Sequence, residues 1–506
     1  MPEKVLLGSE PLSAEQVVAV AREYAPVGLT GAAEARLAEK RQHIEDLAHA
    51  VTPTYGVSTG FGALATRHIP RESRTALQRS LIRSHAAGAG APVETEVVRA
   101  LMLLRLRTLA SGFTGVRPGT ANTLAALLNA GITPIVHEYG SLGCSGDLAP
   151  LAAVALALMG EGEVEYNGDI VNAADALEHA DIEPVVLAEK EGLALTNGTD
   201  GMLGMLLLAA ADLRKLLDIA DITAAMSVEA LLGTDRAFAA DLQALRPHPG
   251  QAESAARMFA ALQGSKIVES HRGPDCNRVQ DAYSLRCSPQ VHGGARDSLT
   301  HAELVASREL ASAVDNPVVL EDGRVESNGN FHGAPVAYVL DFLAIPLADV
   351  ASIAERRTDR MLDKTRSHGL PPFLAADPGV DSGHMIAQYT QAAVVSELKR
   401  LAVPASVDSI PSSAMQEDHV SMGWSSARKL RKAVDGLTTV LAIELLTAAR
   451  ALDLRAPLEP SPVTGRVRDL LRTKVEGPGP DRHLAPEIAA AEELVRSGAV
   501  LDAAGI

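Results

Sequence analysis

The chain has 506 residues, 47% of them hydrophobic and 22% charged, with a formal net charge of −17. That balance suits a large buried core, excludes a small module and a disordered chain, and leaves no basic stripe of the kind nucleic-acid binding needs. Aromatic residues are only 3%, so Leu, Ala and Val must build the core, a mixture suited to close-packed helices.

Residues 1–11 show no basic segment followed by an apolar stretch, so no signal peptide is read there. The longest apolar runs, at 148–159 and 202–211, fall short of the roughly 20 residues that span a bilayer. The three cysteines are odd in number and include no C-x-x-C pair, which argues against a disulfide framework and against a cysteine-rich zinc site. These features predict a cytoplasmic protein with neither a membrane nor a nucleic acid as partner.

Along the chain, Pro92 falls where the first turn of a helix tolerates proline. Glu94 and Glu96 follow near the positive end, apolar residues continue to Leu109, and Gly112 can close the segment. Residues 164–171, around Asn167-Gly168, read as a hairpin, and residues 318–326, around Asp322-Gly323, as a second; neither can found a large sheet. Pro346 interrupts a helical pattern running from about Val336 to Arg357, so a kink or a break is expected. From Leu430, the positions Val434, Leu437, Leu441, Leu445, Ala448 and Leu452 recur every three or four residues, giving one buried stripe on a long helix. The run Glu476-Gly477-Pro478-Gly479-Pro480 marks a loop before a final short helix. The expected fold is mainly α, a long-helix bundle with a smaller N-terminal region (1–112), a central and C-terminal helical region (113–506) and a few short hairpins.

The most informative segment is residues 140–150, Gly-Ser-Leu-Gly-Cys-Ser-Gly-Asp-Leu-Ala-Pro. Its plainest reading is structural: Ser145 or Asp147 caps a helix starting near Leu148, and the glycines supply the turn. A serine-hydrolase elbow would need glycine where Asp147 stands. The chemical reading is sharper. A tight bend at Gly146 brings its nitrogen onto the carbonyl carbon of Cys144; ring closure with loss of water there and from Ser145 leaves a methylidene-imidazolone, a carbon electrophile that ordinary side chains do not offer.

On these residues the chain resembles the histidine and phenylalanine ammonia-lyase family, whose members form this ring from Ala-Ser-Gly; Cys144 stands in the first position here, as in actinobacterial members with Cys-Ser-Gly. The resemblance extends over most of the chain. Residues 55–62, Tyr-Gly-Val-Ser-Thr-Gly-Phe-Gly, are similar to the family's glycine-rich loop and make Tyr55 a candidate for proton transfer. Residues 191–199 place Asn197 at the ring or the substrate amine, and residues 280–290 place Arg286 at the substrate carboxylate with Tyr283 and Gln280 lining the ring. Residues 328–333 place Phe331 against the prosthetic group.

Ser84-His85 and residues 416–422, Gln-Glu-Asp-His-Val-Ser-Met, resemble the histidine-acting members. Glu417 can accept a hydrogen bond from an imidazole N–H and His85 can bond the other ring nitrogen, with Gln416 beside them. Two positions depart from the pattern: Met415 stands where many members have Asn, and Ala153 where histidine enzymes often have His. The resemblance implies an ammonia-lyase/fumarase-like architecture and non-oxidative deamination of L-histidine to trans-urocanate and ammonia, the first step of histidine degradation. It also implies a homotetramer with shared active sites, and no metal or diffusible cofactor. Tyr55 and Glu417 are both candidates for the base that removes the β-proton. Phenylalanine or tyrosine lyase or aminomutase chemistry on the same ring is the alternative; a serine hydrolase and a ring-less helical scaffold are the more distant ones.

Overall fold

The computed structural model describes residues 2–8, 10–49, 54, 56–60, 64, 66–273, 276 and 278–506. Twenty α-helices account for most of the described residues, and the strands are at most four residues long. The mainly α fold expected from the composition is therefore what forms. Two helices, Asp200–Ala230 and Gly423–Asp453, have 31 residues each, or about 46 Å at 1.5 Å per residue.

The chain divides into two compact units. The first holds residues 1–208, 303–340 and 404–428; the second holds 209–302, 341–403 and 429–506. In the first unit the helix Thr95–Ala110 is buried on all sides from Val97 onward. It carries Arg105, fully buried, whose guanidinium donates to the carbonyls of Ala194, Asn197 and Val314. A charge that spends its donors on three separate loop carbonyls fixes those loops, because each carbonyl left unpaired in the core costs about 1–3 kcal/mol. In the second unit, Glu444 accepts from Arg357, Thr223 (2.8 Å) and Ser227 (2.8 Å). Asp221 accepts from Arg296 (2.6 Å) and pairs with His292 Nδ1 (2.8 Å). Both carboxylates are fully buried, and the partners that surround them make that burial tolerable.

The hairpin expected at 164–171 forms as Glu163–Tyr166 against Asp169–Asn172, with Tyr166 opposite Asp169 and positive φ at Asn167 and Gly168. A third strand, Thr133–Pro134, pairs with its first arm. The second hairpin forms as Val318–Val319 against Val325–Glu326. The periodic segment after Leu430 lies within Gly423–Asp453.

Two expectations are corrected and a third is narrowed. Pro92 does not open a helix: it ends the strand Ala89–Pro92, opposite His137, and the helix starts at Thr95 after Glu94. The main-chain N–H of Val93 is taken by the Val136 carbonyl at 2.9 Å, so strand pairing outcompetes the helical first turn. Of the kink or break expected at Pro346, the break does not occur: the helix runs unbroken over Ala334–Leu362. The proline deprives only the Phe342 carbonyl of its N–H partner, at a residue that is 44% exposed, where water can serve instead. This helix is also long and apolar enough to cross a membrane by length and composition, unlike the shorter runs picked out above, but 61% of its apolar window is buried within the protein. After the loop at 476–480 there are two helices, Leu484–Ser497 and Ala499–Ala504, parted at Gly498 with φ +85°.

Candidate active site

Residues 142–147 are held at both ends. On one side the Leu142 carbonyl accepts from Met422 N (2.9 Å), and the Gly143 carbonyl accepts from Ser421 Oγ (2.9 Å) and Gly333 N (3.3 Å). On the other, Asp147 N donates to the Gly198 carbonyl at 2.7 Å, and Gly146 forms a bridge with Gly198. The Asp147 carboxylate then accepts from Gly201 N and Met202 N, each at 2.9 Å, and from Ser141 Oγ at 2.8 Å. It caps the start of the helix Asp200–Ala230, not of its own helix Leu148–Leu158, which has no side-chain cap. The simple capping role read from the sequence is thus replaced by a tie between two elements. Complete burial pushes this carboxyl up to about 7, against the donors of Met202, Ser141 and Gly201.

Between these anchors lie Cys144, Ser145 and Gly146. Gly146 has φ +78°, and a Cβ there would sit 2.1 Å from the Gly198 carbonyl oxygen, so the close approach admits glycine alone. The chain is pinned on both sides of a glycine-only bend, and Cys144, Ser145 and Gly146 are the residue types that a methylidene-imidazolone would need at these three positions.

Cys144 and Ser145 line a cavity of about 580 Å³ together with Asn316, Phe331, Gln416 and Glu417, within the range of small-molecule sites. His332 and His419 stack in its wall with ring centroids 5.6 Å apart and planes 4° from parallel. Asn328 stitches two wall loops: its main-chain N–H donates to Asn316 Oδ1 (3.0 Å) and its Nδ2 to the Asp315 carbonyl (3.1 Å). That places Phe331 three residues on. Glu417 sits in a bridge with Ser412 across residues Ser413, Ala414 and Met415, whose φ values are +50°, +51° and +70°. Three consecutive left-handed non-glycine residues cost roughly 1 kcal/mol or more each, a strain found at sites that aim a side chain. Met415 takes one of these conformations where Asn would do so at lower cost.

Cys144 is buried and its Sγ–H donates to Glu417 Oε2 at 3.0 Å. Burial pushes the thiol up to about 12, with the Glu417 carboxylate adding to the rise and main-chain N–H groups at 145 and 144 opposing it. At pH 8 the thiolate fraction is therefore roughly 10⁻⁴. Iodoacetamide at that pH is expected to label the half-buried Cys276 and Cys287 and to leave Cys144 unmodified until urea is added. Peptide mapping reads this directly; prompt labelling of Cys144 in the folded protein would contradict it.

His85 ends the helix Arg74–His85. Its Nδ1 lies 3.1 Å from Ser84 Oγ, which itself donates to the Leu81 carbonyl. Burial holds its imidazole below the ordinary value; the Leu81 main chain and the Glu417 charge oppose this. Asn197 is buried one residue before Gly198, with Nδ2 donating to the carbonyls of Leu193 (3.2 Å) and Asn316 (3.3 Å). Gln280, Tyr283 and Arg286 belong to the second unit. There Gln280 lines a cavity with Arg272 and Arg278, and the Arg286 guanidinium lies 4.8 Å from the centroid of the 71%-exposed Tyr283 ring. Tyr55 lies outside the described residues. Ala153 lines a separate cavity with His137 and Pro150. The ties made by Ser412, Ser421 and Gly198 carry no mark in the sequence, since each partner lies far along the chain or in a turn of ordinary composition.

A mainly α chain that holds Cys144 and Ser145 of a Cys-Ser-Gly tripeptide at a small-molecule cavity has the build of an enzyme. Residues 12–473 match the model of the aromatic amino acid lyase family. The chain is 66% identical to histidine ammonia-lyase of Streptomyces avermitilis, over 99% of this chain and 98% of that one. It is 48% identical to that of Anaeromyxobacter dehalogenans, over 98% and 99%. Among solved structures it resembles tyrosine aminomutase of Streptomyces globisporus, with a TM-score of 0.93 and 38% identity over 99% of this chain and 98% of that one. It also resembles histidine ammonia-lyase of Trypanosoma cruzi, with a TM-score of 0.91 and 38% identity over 99% and 95%. The chain belongs to the aromatic amino acid lyase family and is a carbon–nitrogen lyase.

Proposed function

We propose that this enzyme deaminates L-histidine to trans-urocanate and ammonia, using a methylidene-imidazolone formed from Cys144, Ser145 and Gly146. The observation that carries the substrate is the Glu417 carboxylate, which faces the cavity beside Cys144 and Ser145 and stands in electrostatic contact with His85. The high identity to histidine ammonia-lyases over nearly the whole chain supports it.

The ring supplies a carbon electrophile toward the substrate amine. The chain's own side chains do the rest. Glu417 accepts the imidazole N–H, His85 meets the other edge of that ring, and Phe331 and Gln416 close the cavity around it. Asn197 holds the region of the prosthetic ring and the amine. Arg286 takes the substrate carboxylate through its two-pronged guanidinium, with Gln280 and Tyr283 beside it. We place these three at the site through assembly of a homotetramer with shared active sites, in the cytoplasm, where three free cysteines persist. The β-proton is removed by Tyr55 or Glu417; a phenol, ordinarily titrating near pH ~10, needs neighbouring charge to serve as that base.

A phenyl ring would leave Oε1 of the Glu417 carboxylate without a donor, at a cost of about 1–3 kcal/mol. The test offers purified enzyme L-histidine, L-phenylalanine and L-tyrosine separately, following ultraviolet absorbance and ammonia. Histidine alone is expected to turn over efficiently, and Glu417→Gln is expected to lower kcat/KM for histidine by roughly 10²-fold, as loss of a charged acceptor predicts. Preference for phenylalanine or tyrosine, or a β-amino acid product, would overturn the reading.

A further inference from the structure

We propose that the Cys144 thiol is a positioning residue for Glu417: together with Ser412 it holds one carboxylate oxygen so that the other is presented to the substrate. The inference rests on the reading that Glu417 receives the imidazole, and adds to it a role for the one residue by which this tripeptide departs from Ala-Ser-Gly.

Two donors converge on the same oxygen. Cys144 Sγ and Ser412 Oγ each lie 3.0 Å from Glu417 Oε2. Among the described residues nothing donates to Oε1, and Glu417 lines the cavity. The main chain is fixed as well: Ser412 N donates to the Glu417 carbonyl at 2.9 Å and Glu417 N to the Ser412 carbonyl at 3.3 Å. A glutamate has three rotatable side-chain bonds, and a fixed Cα alone does not aim its carboxylate. Two donors on Oε2 do, because a hydrogen bond to an ionised acceptor is stronger than one between neutral groups. The thiol keeps its proton at neutral pH, so it is a standing donor and not a competing charge. Ring closure consumes the main-chain carbonyl of Cys144 and leaves the side chain in place, so the contact survives maturation. An alanine there would leave Ser412 as the only described donor to that oxygen.

The consequence is a binding effect more than a chemical one. A carboxylate aimed in advance accepts the imidazole N–H without loss of its own freedom, and this gain is shared by the bound substrate and the transition state. The full-length variants Cys144→Ala, Cys144→Ser, Ser412→Ala, the Cys144→Ala/Ser412→Ala pair and Glu417→Gln are compared by steady-state kinetics on histidine. Each kcat is normalised to the fraction of protein that has lost two waters by intact mass. Cys144→Ala is expected to raise KM roughly tenfold, the loss of one charge-assisted bond, with normalised kcat within about threefold. Cys144→Ser, which keeps a donor, is expected to recover most of that rise. The double variant is expected to lose more than the product of the two single losses, because each single variant still has one donor on Oε2.

An unchanged KM in Cys144→Ala, strictly additive losses, or failure of serine to rescue would each overturn the proposal. A Glu417→Gln variant that turns over histidine normally would instead overturn the substrate reading beneath it. Loss in Glu417→Gln without any effect of Cys144→Ala would overturn the positioning role alone.

Discussion

Replacing Ser145 by alanine is expected to lower histidine turnover by roughly 10³-fold or more while leaving the helical fold and its melting temperature in place. Ser145 sits half-buried at the edge of the cavity, and in the proposed mechanism its hydroxyl is the group whose loss as water would create the methylidene carbon. Alanine at 145 can still sit in the same bend, because the bend is imposed by the anchors at 142–143 and 146–147. It has no hydroxyl to eliminate, so no exocyclic double bond can form. The neighbouring side chains do not substitute for it: the Cys144 thiol and the Glu417 carboxylate are both electron-rich, and neither can accept an electron pair from an amine. Deamination would then have to proceed with an unactivated amine as leaving group, the step that the proposed ring would ease. Intact mass distinguishes the two proteins, since the wild type is expected two waters lighter than its sequence. Full activity in Ser145→Ala, or an unmodified peptide over 144–146 in fully active wild type, would refute the mechanism.

Part of the cavity around Cys144 is legible in the sequence. The tripeptide suggests its chemistry from its own residues, the Asn197 stretch and the segment around Glu417 are read through their resemblance to the family, and the helix Gly423–Asp453 through its apolar period. What could not be read depends on partners distant in sequence. Asp147 looks like a cap for the helix that follows it, yet its carboxylate serves N–H groups 54 and 55 residues away. No spacing rule connects these positions; only packing of two elements does. Pro92 likewise fits a helical first turn by local preference, but Val93 finds the Val136 carbonyl and the segment becomes a strand. Met415 shows the reverse case. The sequence marks it as a departure from Asn, and its positive φ gives that departure a physical meaning that composition cannot supply. Backbone strain beside Glu417 is legible only once the Ser412 bridge is seen.

Replacing Gly146 by alanine is expected to destabilise the first unit strongly. Two costs combine: a left-handed residue with a Cβ, and a Cβ placed 2.1 Å from the Gly198 carbonyl oxygen and 2.4 Å from its carbon. Together they amount to roughly 2–5 kcal/mol. Relaxation is blocked on both sides. Gly198 cannot retreat easily, because its carbonyl accepts from Asp147 N and it leads directly into the helix Asp200–Ala230. Residue 146 cannot retreat either, because Asp147 is tied to Gly201, Met202 and Ser141. Gly168 provides the internal control: its φ is +86°, but nothing lies within 4 Å of the Cβ that alanine would add. Gly168→Ala therefore carries only the left-handed penalty, about 1–2 kcal/mol. The first unfolding transition, followed by circular dichroism, is expected to fall much further in Gly146→Ala than in Gly168→Ala. The former is also expected to retain the mass of the unmodified chain, since the nitrogen that must reach the Cys144 carbonyl is displaced along with its Cα. Equal melting of the two variants, or a matured ring in Gly146→Ala, would show that the close approach of residues 146 and 198 is not what forces the bend.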